Sequence, residues 1–211
     1  MVLLTARRGL PAIAVAVSGC SVAPPAGGEN SETSVATGSG QTEEGSEAET
    51  GPEVVCPADG PEGTVPGQIL ANVQVQPCEG ELVGLRDLAC GHKLTLIDIG
   101  AAAFQACVDA TDLYATDPEY DALQDQGLHI VQVFLQDYQG LLPTKSFCSD
   151  YAAEHLVDFE FLIDQIGATD DIAPVHPFNV VLDQEARVVH VWIEDIPENR
   201  AEILGELLQE Q

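Results

Sequence analysis

Five short apolar runs lie between residue 93 and the C-terminus, and their arrangement constrains the fold most strongly: longer stretches of helical character follow the first two runs, and a turn at 183–186 joins the last two into a hairpin that a final helix follows. Each run has the length of a strand, and the first two are almost continuously apolar, as in strands buried on both faces of a sheet. The runs lie at 93–99, 128–135, 159–163, 179–182 and 188–193. Alternating strands and helices predict an α/β domain with a mixed central sheet covered by helices on both faces.

The segments between and before these runs complete the prediction. Helices are expected at 102–126 with a break at Pro118, at 144–156 with Thr144 as N-cap, and at 197–208. Upstream, two predicted strands at 68–75 and 81–86 are joined by a turn at 78–80. They predict an N-terminal β-hairpin extension of the sheet.

The first twenty residues have the features of an export signal with a lipid attachment site. Arg7 and Arg8 precede an apolar segment at 10–17, which is too short to span a bilayer as a permanent helix. The sequence Val-Ser-Gly-Cys at 17–20 resembles the lipobox of bacterial lipoproteins. We therefore expect residues 1–19 to be a signal peptide and Cys20 to carry a membrane lipid, with the domain in the periplasm or at the cell surface.

Residues 20–58 are rich in Pro, Gly, Ser, Thr, Ala and Glu. Such a segment buries too little apolar surface to offset the entropy of ordering it, so we expect a disordered acidic tether before one domain at 59–211. The whole chain has 35 acidic and 7 basic residues. This excess excludes nucleic acid as a partner, because phosphate binding needs clustered Lys and Arg, and it is typical of a highly soluble acidic protein.

Five cysteines follow Cys20, and in an exported protein such thiols form disulfides. They are Cys56, Cys78, Cys90, Cys107 and Cys148. An odd number leaves at least one thiol free or bonded to another molecule, and the sequence leaves the connectivity open. Cys78 and Cys90 lie at the two ends of the second hairpin strand, where chain reversal brings thiols together. We expect these two to form a structural disulfide.

The order of the elements and the segment from Val65 to Cys107 resemble the thioredoxin superfamily, most closely its envelope redoxins. These include thiol-disulfide oxidoreductases and relatives of the alkyl hydroperoxide reductases, and the resemblance covers 65–211. In that family the first long strand is followed by a Trp-Cys-x-x-Cys motif that opens a helix. The matching residues at 103–107 read Ala-Phe-Gln-Ala-Cys. Phe104 replaces the attacking cysteine, and Cys107 keeps the sulfur of the resolving position.

The same resemblance implies roles for Asp98 and Pro177. Asp98 lies six residues before Phe104, where thioredoxins often carry a buried carboxylate that accepts the proton of the resolving cysteine. A carboxylate in this apolar strand is costly unless it is hydrogen-bonded or protonated. Pro177 matches the family's cis-proline beside the active-site loop.

Two classes of function stay open, because disulfide exchange needs an attacking thiolate and a second thiol, and this pair is incomplete. The first is a non-catalytic binding or scaffolding module that keeps the groove around Phe104 and Pro177. The second is an oxidoreductase or peroxidase of altered type that uses Cys107 with Cys148. Burial of Cys107 favours the first class, and exposure of Cys107 beside a second sulfur favours the second.

A minor third hypothesis is copper delivery, since His176 precedes Pro177 and lies near the cysteine motif in the family's fold. Copper chaperones of this fold use two motif cysteines, however, and one is missing here. The sequence contains no nucleotide-binding glycine loop, no H-E-x-x-H motif and no calcium loop. We therefore expect no cofactor and no metal, and the expected partners are membrane lipid through Cys20 and thiol proteins of the envelope.

Overall fold

The computed structural model of the protein describes residues 56–194 and 197–211. In this part of the chain, seven strands form one mixed sheet in the order β2-β1-β5-β4-β3-β6-β7. The strands are β1 (Gln74–Pro77), β2 (Val83–Gly84), β3 (Leu94–Gly100), β4 (Leu128–Phe134), β5 (Glu160–Ile163), β6 (Phe178–Asp183) and β7 (Val188–Ile193). The helices are α1 (Leu85–Ala89), α2 (Gln105–Thr116), α3 (Pro118–Asp125), α4 (Lys145–Glu154) and α5 (Arg200–Glu210).

The central strand β3 is buried at every residue, because its two faces are covered by different helices. Successive side chains of a strand point to opposite faces of the sheet. Leu94 and Leu96 pack with side chains of α2, α3 and α5, whereas Ile97 and Ile99 pack with side chains of α1. The predicted α/β architecture, with a mixed sheet and helices on both faces, is confirmed.

The N-terminal hairpin is also present, but it is shorter than predicted. Strands β1 and β2 pair antiparallel, with Gln74 opposite Gly84 and Val75 opposite Val83. The predicted second strand ends after Val83–Gly84, and α1 begins directly at Leu85. Leu85 and Ala89 are both buried, and a spacing of four residues places them on one helical face.

The helix ends follow local side-chain chemistry. The predicted break at Pro118 is confirmed, since α2 ends at Thr116 and Oδ1 of Asp117 accepts a hydrogen bond from the Glu119 amide at 2.8 Å. The hydroxyl of Thr144 caps α4 as predicted, accepting from the Phe147 amide at 3.1 Å. Helix α5 begins at Arg200, three residues later than predicted.

The two disulfides differ from the one predicted from the sequence. Cys56 is bonded to Cys90, and Cys78 is bonded to Cys148. The predicted bond between Cys78 and Cys90 is therefore wrong. The sulfurs are kept apart because Cys90, at the end of α1, packs against the cluster of Ile97 and Ile99, whereas Cys78 packs against a different cluster that contains Cys148.

The predicted signal peptide, Cys20 and most of the predicted tether lie outside the described residues. Among residues 56–194 and 197–211, the longest helix has too few residues and too little apolar character to cross a lipid bilayer.

Candidate functional site

The residues that follow β3 and those that precede β6 meet at one edge of the sheet. The two strands are antiparallel neighbours, with Ile99 opposite Phe178. The turn that leads from β3 into α2 therefore lies near the loop that leads into β6. The peptide bond between His176 and Pro177 in that loop is cis, as the resemblance implied.

Phe104 occupies the N-cap of α2, where the family places its attacking thiol. Its backbone is extended, with φ −105° and ψ 118°, and α2 begins at the next residue. The residue is 49% exposed. The start of the helix therefore carries an exposed apolar side chain in place of a nucleophile.

Cys107 is the third residue of α2, and its side chain is fully buried. Its sulfur fits beneath Gly100, where an added Cβ would lie only 2.6 Å from Sγ. Burial raises the pKa of the thiol to about 11, an effect that a backbone hydrogen bond at Ala101 only partly offsets and to which Asp98 adds. The main cause of the raised pKa is thus the loss of solvent around the thiol.

Cys148 does not form a couple with Cys107, because its sulfur is bonded to Cys78. Cys107 and Cys148 do belong to the same apolar cluster, together with Phe134, Tyr151 and Phe161. Among the described residues, Cys107 is the one free cysteine. The second sulfur on which the oxidoreductase hypothesis depends is thus already in use as part of a cross-link.

Asp98 lies in the middle of a row of polar side chains that crosses three strands. Gln132 of β4 and Asn179 of β6 are its partners in the strand register, on either side. Oδ1 of Asp98 accepts from Nδ2 of Asn179 at 3.3 Å, and Oδ2 accepts from Nε2 of Gln132 at 3.5 Å. All three side chains are fully buried, and these contacts supply the hydrogen bonds that a buried carboxylate needs.

Two helices complete the surroundings of this carboxylate. The hydroxyl of Tyr114, in α2, donates to Oδ2 of Asp98 at 2.9 Å. Arg200, the first residue of α5, is 3% exposed and donates from Nη1 to Asn179 at 3.1 Å and from Nε to the Tyr120 hydroxyl at 3.0 Å. Burial raises the pKa of Asp98, while Arg200 and the hydrogen bonds act in the opposite direction.

Sequence reasoning found Asp98 and missed its partners. A signal for two of them exists, because Asp98, Gln132 and Asn179 are each a buried polar residue within a mainly apolar strand. Their alignment depends on the strand register, which the sequence does not specify. Arg200 and Tyr114 come from helices, and their sequence context does not set them apart.

Two cavities lie at this edge of the sheet. The larger, of about 590 Å³, is lined by Ala106, Asp109, Ala110, Leu113, Tyr120, Pro177, Glu194, Pro197, Glu198 and Arg200. The smaller, of about 370 Å³, is lined by Ala101, Phe104, Leu135, Gln136, Gly140, Leu142, Asp164, Gly167, Asp170 and His176. The loop at 176–177 contributes to both cavities, so the groove expected around Phe104 and Pro177 consists of two adjoining depressions.

His176 faces the smaller cavity together with Phe104, but Cys107 does not line either cavity. Burial lowers the pKa of the imidazole, and the carboxylate of Asp170 opposes this shift. Residues 56–194 and 197–211 contain no group of three or more His, Cys, Asp or Glu side chains placed to hold a metal ion.

This arrangement of strands, helices and cis-proline defines a thioredoxin-like domain. The fold is similar to the solution structure of a thiol:disulfide interchange protein from Bacteroides sp., at 17% identity and a TM-score of 0.55, over 69% of this chain and 91% of that one. It is also similar to the thioredoxin domain of a thiol-disulfide oxidoreductase from Bacteroides vulgatus, at 16% identity and a TM-score of 0.53, over 68% and 98% of the chains.

A third similar structure is a thioredoxin-like protein from Porphyromonas gingivalis, at 20% identity and a TM-score of 0.53, over 67% of this chain and 92% of that one. No protein-family model matches the chain, and no curated protein matches its sequence significantly. At these identities the comparisons establish a thioredoxin-like fold, and function has to be argued from the site.

Proposed function

We propose that this protein is a non-catalytic binding module of thioredoxin-like fold, tethered to a bacterial envelope membrane through a lipid on Cys20. The observation that carries the proposal is the state of Cys107, which is fully buried and has a pKa of about 11. A thiol in this state is protonated at neutral pH, whereas disulfide exchange requires a thiolate that can reach its substrate. Phe104 presents an apolar surface at the position where the nucleophile would stand.

Two further observations support a binding role. The groove beside the cis-proline is retained, with cavities of about 590 and 370 Å³, and both volumes lie in the range of roughly 300–1,000 Å³ that is usual for ligand sites. Two large apolar side chains that line the smaller cavity, Phe104 and Leu142, are exposed. Exposed apolar side chains grouped at a cavity are typical of interaction sites. In the thiol-redox setting of the fold, the expected partners are envelope proteins.

The alternative is an oxidoreductase or peroxidase that uses Cys107 with Cys148. It would require the bond between Cys78 and Cys148 to open and Cys107 to become exposed, and both changes disturb the same buried cluster. Copper delivery would require a second sulfur near Cys107 and His176. The binding module requires no opened disulfide, no exposed Cys107 and no second sulfur, which is why we favour it.

Restoring the missing nucleophile tests the proposal. The wild type should reduce the disulfides of insulin, with dithiothreitol as the electron source, no faster than the reductant alone. Phe104→Cys places a thiol at the start of α2, where the helix amides stabilise a thiolate, and should accelerate the reaction at least tenfold. Adding Cys107→Ser should abolish that gain.

The matched control is Leu113→Cys, which adds a partly exposed thiol to the same helix away from its N-terminus. It should stay near the wild-type rate. Wild-type turnover that disappears in Cys107→Ser would contradict the binding module and support the oxidoreductase alternative.

Membrane attachment is tested separately. Metabolic labelling with a fatty acid should mark the wild type and leave Cys20→Ala unlabelled, because Cys20 follows the lipobox-like sequence at 17–20. Equal labelling of the two proteins would remove the lipid anchor from the proposal while leaving the binding module in place.

A further inference from the structure

Three polar side chains from separate parts of the chain form a continuous line of hydrogen bonds. Tyr138 lies in the loop between β4 and α4, His155 follows the last residue of α4, and Asp112 lies in α2. The hydroxyl of Tyr138 is 3.0 Å from Nε2 of His155, and Nδ1 of His155 is 2.6 Å from Oδ1 of Asp112. These residues line neither of the two cavities described above, so the cluster is distinct from the groove beside Pro177.

The direction of these hydrogen bonds follows from the groups involved. The carboxylate of Asp112 accepts and does not donate, so we assign the ring proton of His155 to Nδ1. Nε2 of the neutral imidazole is then an acceptor, and the hydroxyl of Tyr138 donates to it. Oε2 of Glu154 lies 3.3 Å from the same hydroxyl and is a second, more distant acceptor. The phenol therefore has a base within hydrogen-bonding distance, and a carboxylate holds that base in the required tautomer.

Aromatic side chains fix the positions of both rings. The imidazole of His155 stacks on the ring of Tyr151, with ring centroids 4.2 Å apart, and only 12% of the His155 side chain is exposed. The ring of Tyr138 contacts Tyr151 and Phe147, each at a centroid separation of 5.7 Å. Packing thus holds the phenol and the imidazole in place before any reaction.

Tyr138 is also the one exposed tyrosine of the chain. It is 49% exposed, whereas the other three tyrosines are at most 2% exposed. Partial burial raises the pKa of Tyr138, and the carboxylates of Glu154 and Asp112 raise it further. The phenol therefore keeps its proton at neutral pH, and an oxidation of the ring has to pass this proton to a base.

We propose that Tyr138 is a redox-active tyrosine that donates one electron to oxidising radicals, such as phenoxyl radicals and nitrogen dioxide. The electron leaves the ring as the O–H bond breaks, and the proton forms an N–H bond with Nε2 of His155. The products are the neutral tyrosyl radical, the imidazolium of His155 and the oxidant reduced by one electron. Asp112 is a positioning residue, because its carboxylate accepts from Nδ1 and so stabilises the imidazolium.

The exposure of Tyr138 determines what the radical does next. Two tyrosyl radicals on separate copies of the chain join through a carbon–carbon bond between their rings, which forms dityrosine and consumes no further oxidant. The three buried tyrosines cannot meet in this way. Tyr138 is therefore also a site of covalent modification under oxidising conditions. This inference goes beyond the binding module and does not depend on it.

The test uses the full chain, purified with both disulfides intact, and a flash-generated oxidant, tris(bipyridine)ruthenium(III). A cationic oxidant is chosen because the acidic chain repels anions. The absorption of the tyrosyl radical should appear at least tenfold faster in the wild type than in His155→Gln, because glutamine accepts a hydrogen bond but does not take up the proton. Imidazole added at constant pH should accelerate the reaction of His155→Gln and leave the wild-type rate within twofold.

Two controls separate proton transfer from general effects of substitution. His190→Gln makes the same change beside Trp192, at a ring-centroid distance of 4.4 Å, and should leave the rate at Tyr138 within twofold of the wild-type value. The wild-type rate should be roughly twofold lower in heavy water, because the proton moves together with the electron. This second control needs no variant, so it also tests the proposal if His155→Gln does not fold.

Equal rates in the wild type and folded His155→Gln, or equal wild-type rates in the two solvents, would overturn the proposal. Cross-linking provides an independent measurement. With excess oxidant, the wild type should form covalent dimers that show dityrosine fluorescence, and Tyr138→Phe should form none. An equal yield of dimers from Tyr138→Phe would assign the modification to another residue and overturn the proposed site.

Discussion

Replacing Arg200 by methionine tests whether the buried polar network stabilises the domain. In the native structure, Arg200 is 3% exposed, and its guanidinium carbon lies 4.7 Å from the centre of the Tyr114 ring. The guanidinium also donates two hydrogen bonds, to Tyr120 and Asn179. Methionine fills much of the same volume but removes both hydrogen bonds and the charge, so Asp98 stays buried without its cation.

The expected loss follows from the two hydrogen bonds that the buried guanidinium donates. A hydrogen bond to a charged group contributes roughly 1.5–3 kcal/mol, so losing both should lower the free energy of unfolding by roughly 3–6 kcal/mol at pH 7.5. The matched control is Arg86→Met, whose ion pair with Glu62 is partly exposed. That variant should lose only about 0–1 kcal/mol.

The pH dependence of the loss identifies Asp98 as the coupled group. Burial raises the pKa of Asp98 in the folded protein, and Arg200 opposes this shift, so removing Arg200 raises the pKa further. The folded state then binds a proton that the unfolded state releases, and stability falls as pH rises through the folded pKa. The loss caused by Arg200→Met should therefore be smaller at pH 5 than at pH 7.5.

The assay is urea unfolding of the oxidised protein, followed by the fluorescence of Trp192, the single tryptophan of the chain. It is carried out at both pH values in the wild-type and Asp98→Asn backgrounds. In Asp98→Asn, the loss on replacing Arg200 should be at least 1 kcal/mol smaller and independent of pH. Equal losses in both backgrounds would refute the coupling, and a loss below 1 kcal/mol in the wild type would refute the structural role of Arg200.

Three further predictions concern the cysteines and one histidine. Peptide mapping without reductant should recover the pairs Cys56–Cys90 and Cys78–Cys148, and Cys78→Ala/Cys148→Ala should lower the free energy of unfolding by about 4 kcal/mol, because that bond closes a loop between residues 70 apart. Iodoacetamide should alkylate Cys107 at pH 8 only after unfolding, since the thiol is fully buried with a pKa of about 11; rapid native labelling would contradict the burial. Burial, with a smaller effect from the stacked His92, lowers the pKa of His129 from 6.5 to about 4. The neutral imidazole therefore contributes fully to the free energy of unfolding above pH 6.5, and this contribution is lost as pH falls towards 4. Between pH 7 and pH 5 the wild type should lose about 1 kcal/mol more stability than His129→Gln, and equal losses would refute this assignment.

The elements that the sequence predicts best are those with a long and repeated pattern. Strands β3 and β4 are long apolar runs, and the break at Pro118 and the cap at Thr144 are local effects of single residues. Helix α1 was missed because Val83 and Leu85 alternate as in a strand, while the spacing of Leu85 and Ala89 that indicates a helix is present only once. Short apolar segments fit both periods, and tertiary packing decides between them.

The disulfides were mispredicted for a related reason. Proximity in sequence favours joining Cys78 to Cys90, but the sheet places these two sulfurs against different apolar clusters. The actual partner of Cys78 lies 70 residues away in α4, which packs near β1 because β1 pairs with β5. Such a pairing follows from strand order, which a single sequence does not specify.

The surroundings of Asp98 change how its retention is interpreted. In thioredoxins, which this chain resembles, a carboxylate at this position often accepts the proton of the resolving thiol, so its presence would suggest surviving redox chemistry. Here the hydrogen bonds of the carboxylate go to Tyr114, Gln132 and Asn179, and Sγ of Cys107 is not among its partners. The network joins three strands to α2 and, through Arg200, to α5 and the floor of the larger cavity. A carboxylate with these contacts has a structural reason to persist without a nucleophile at residue 104, so Asp98 by itself does not favour the oxidoreductase over the binding module.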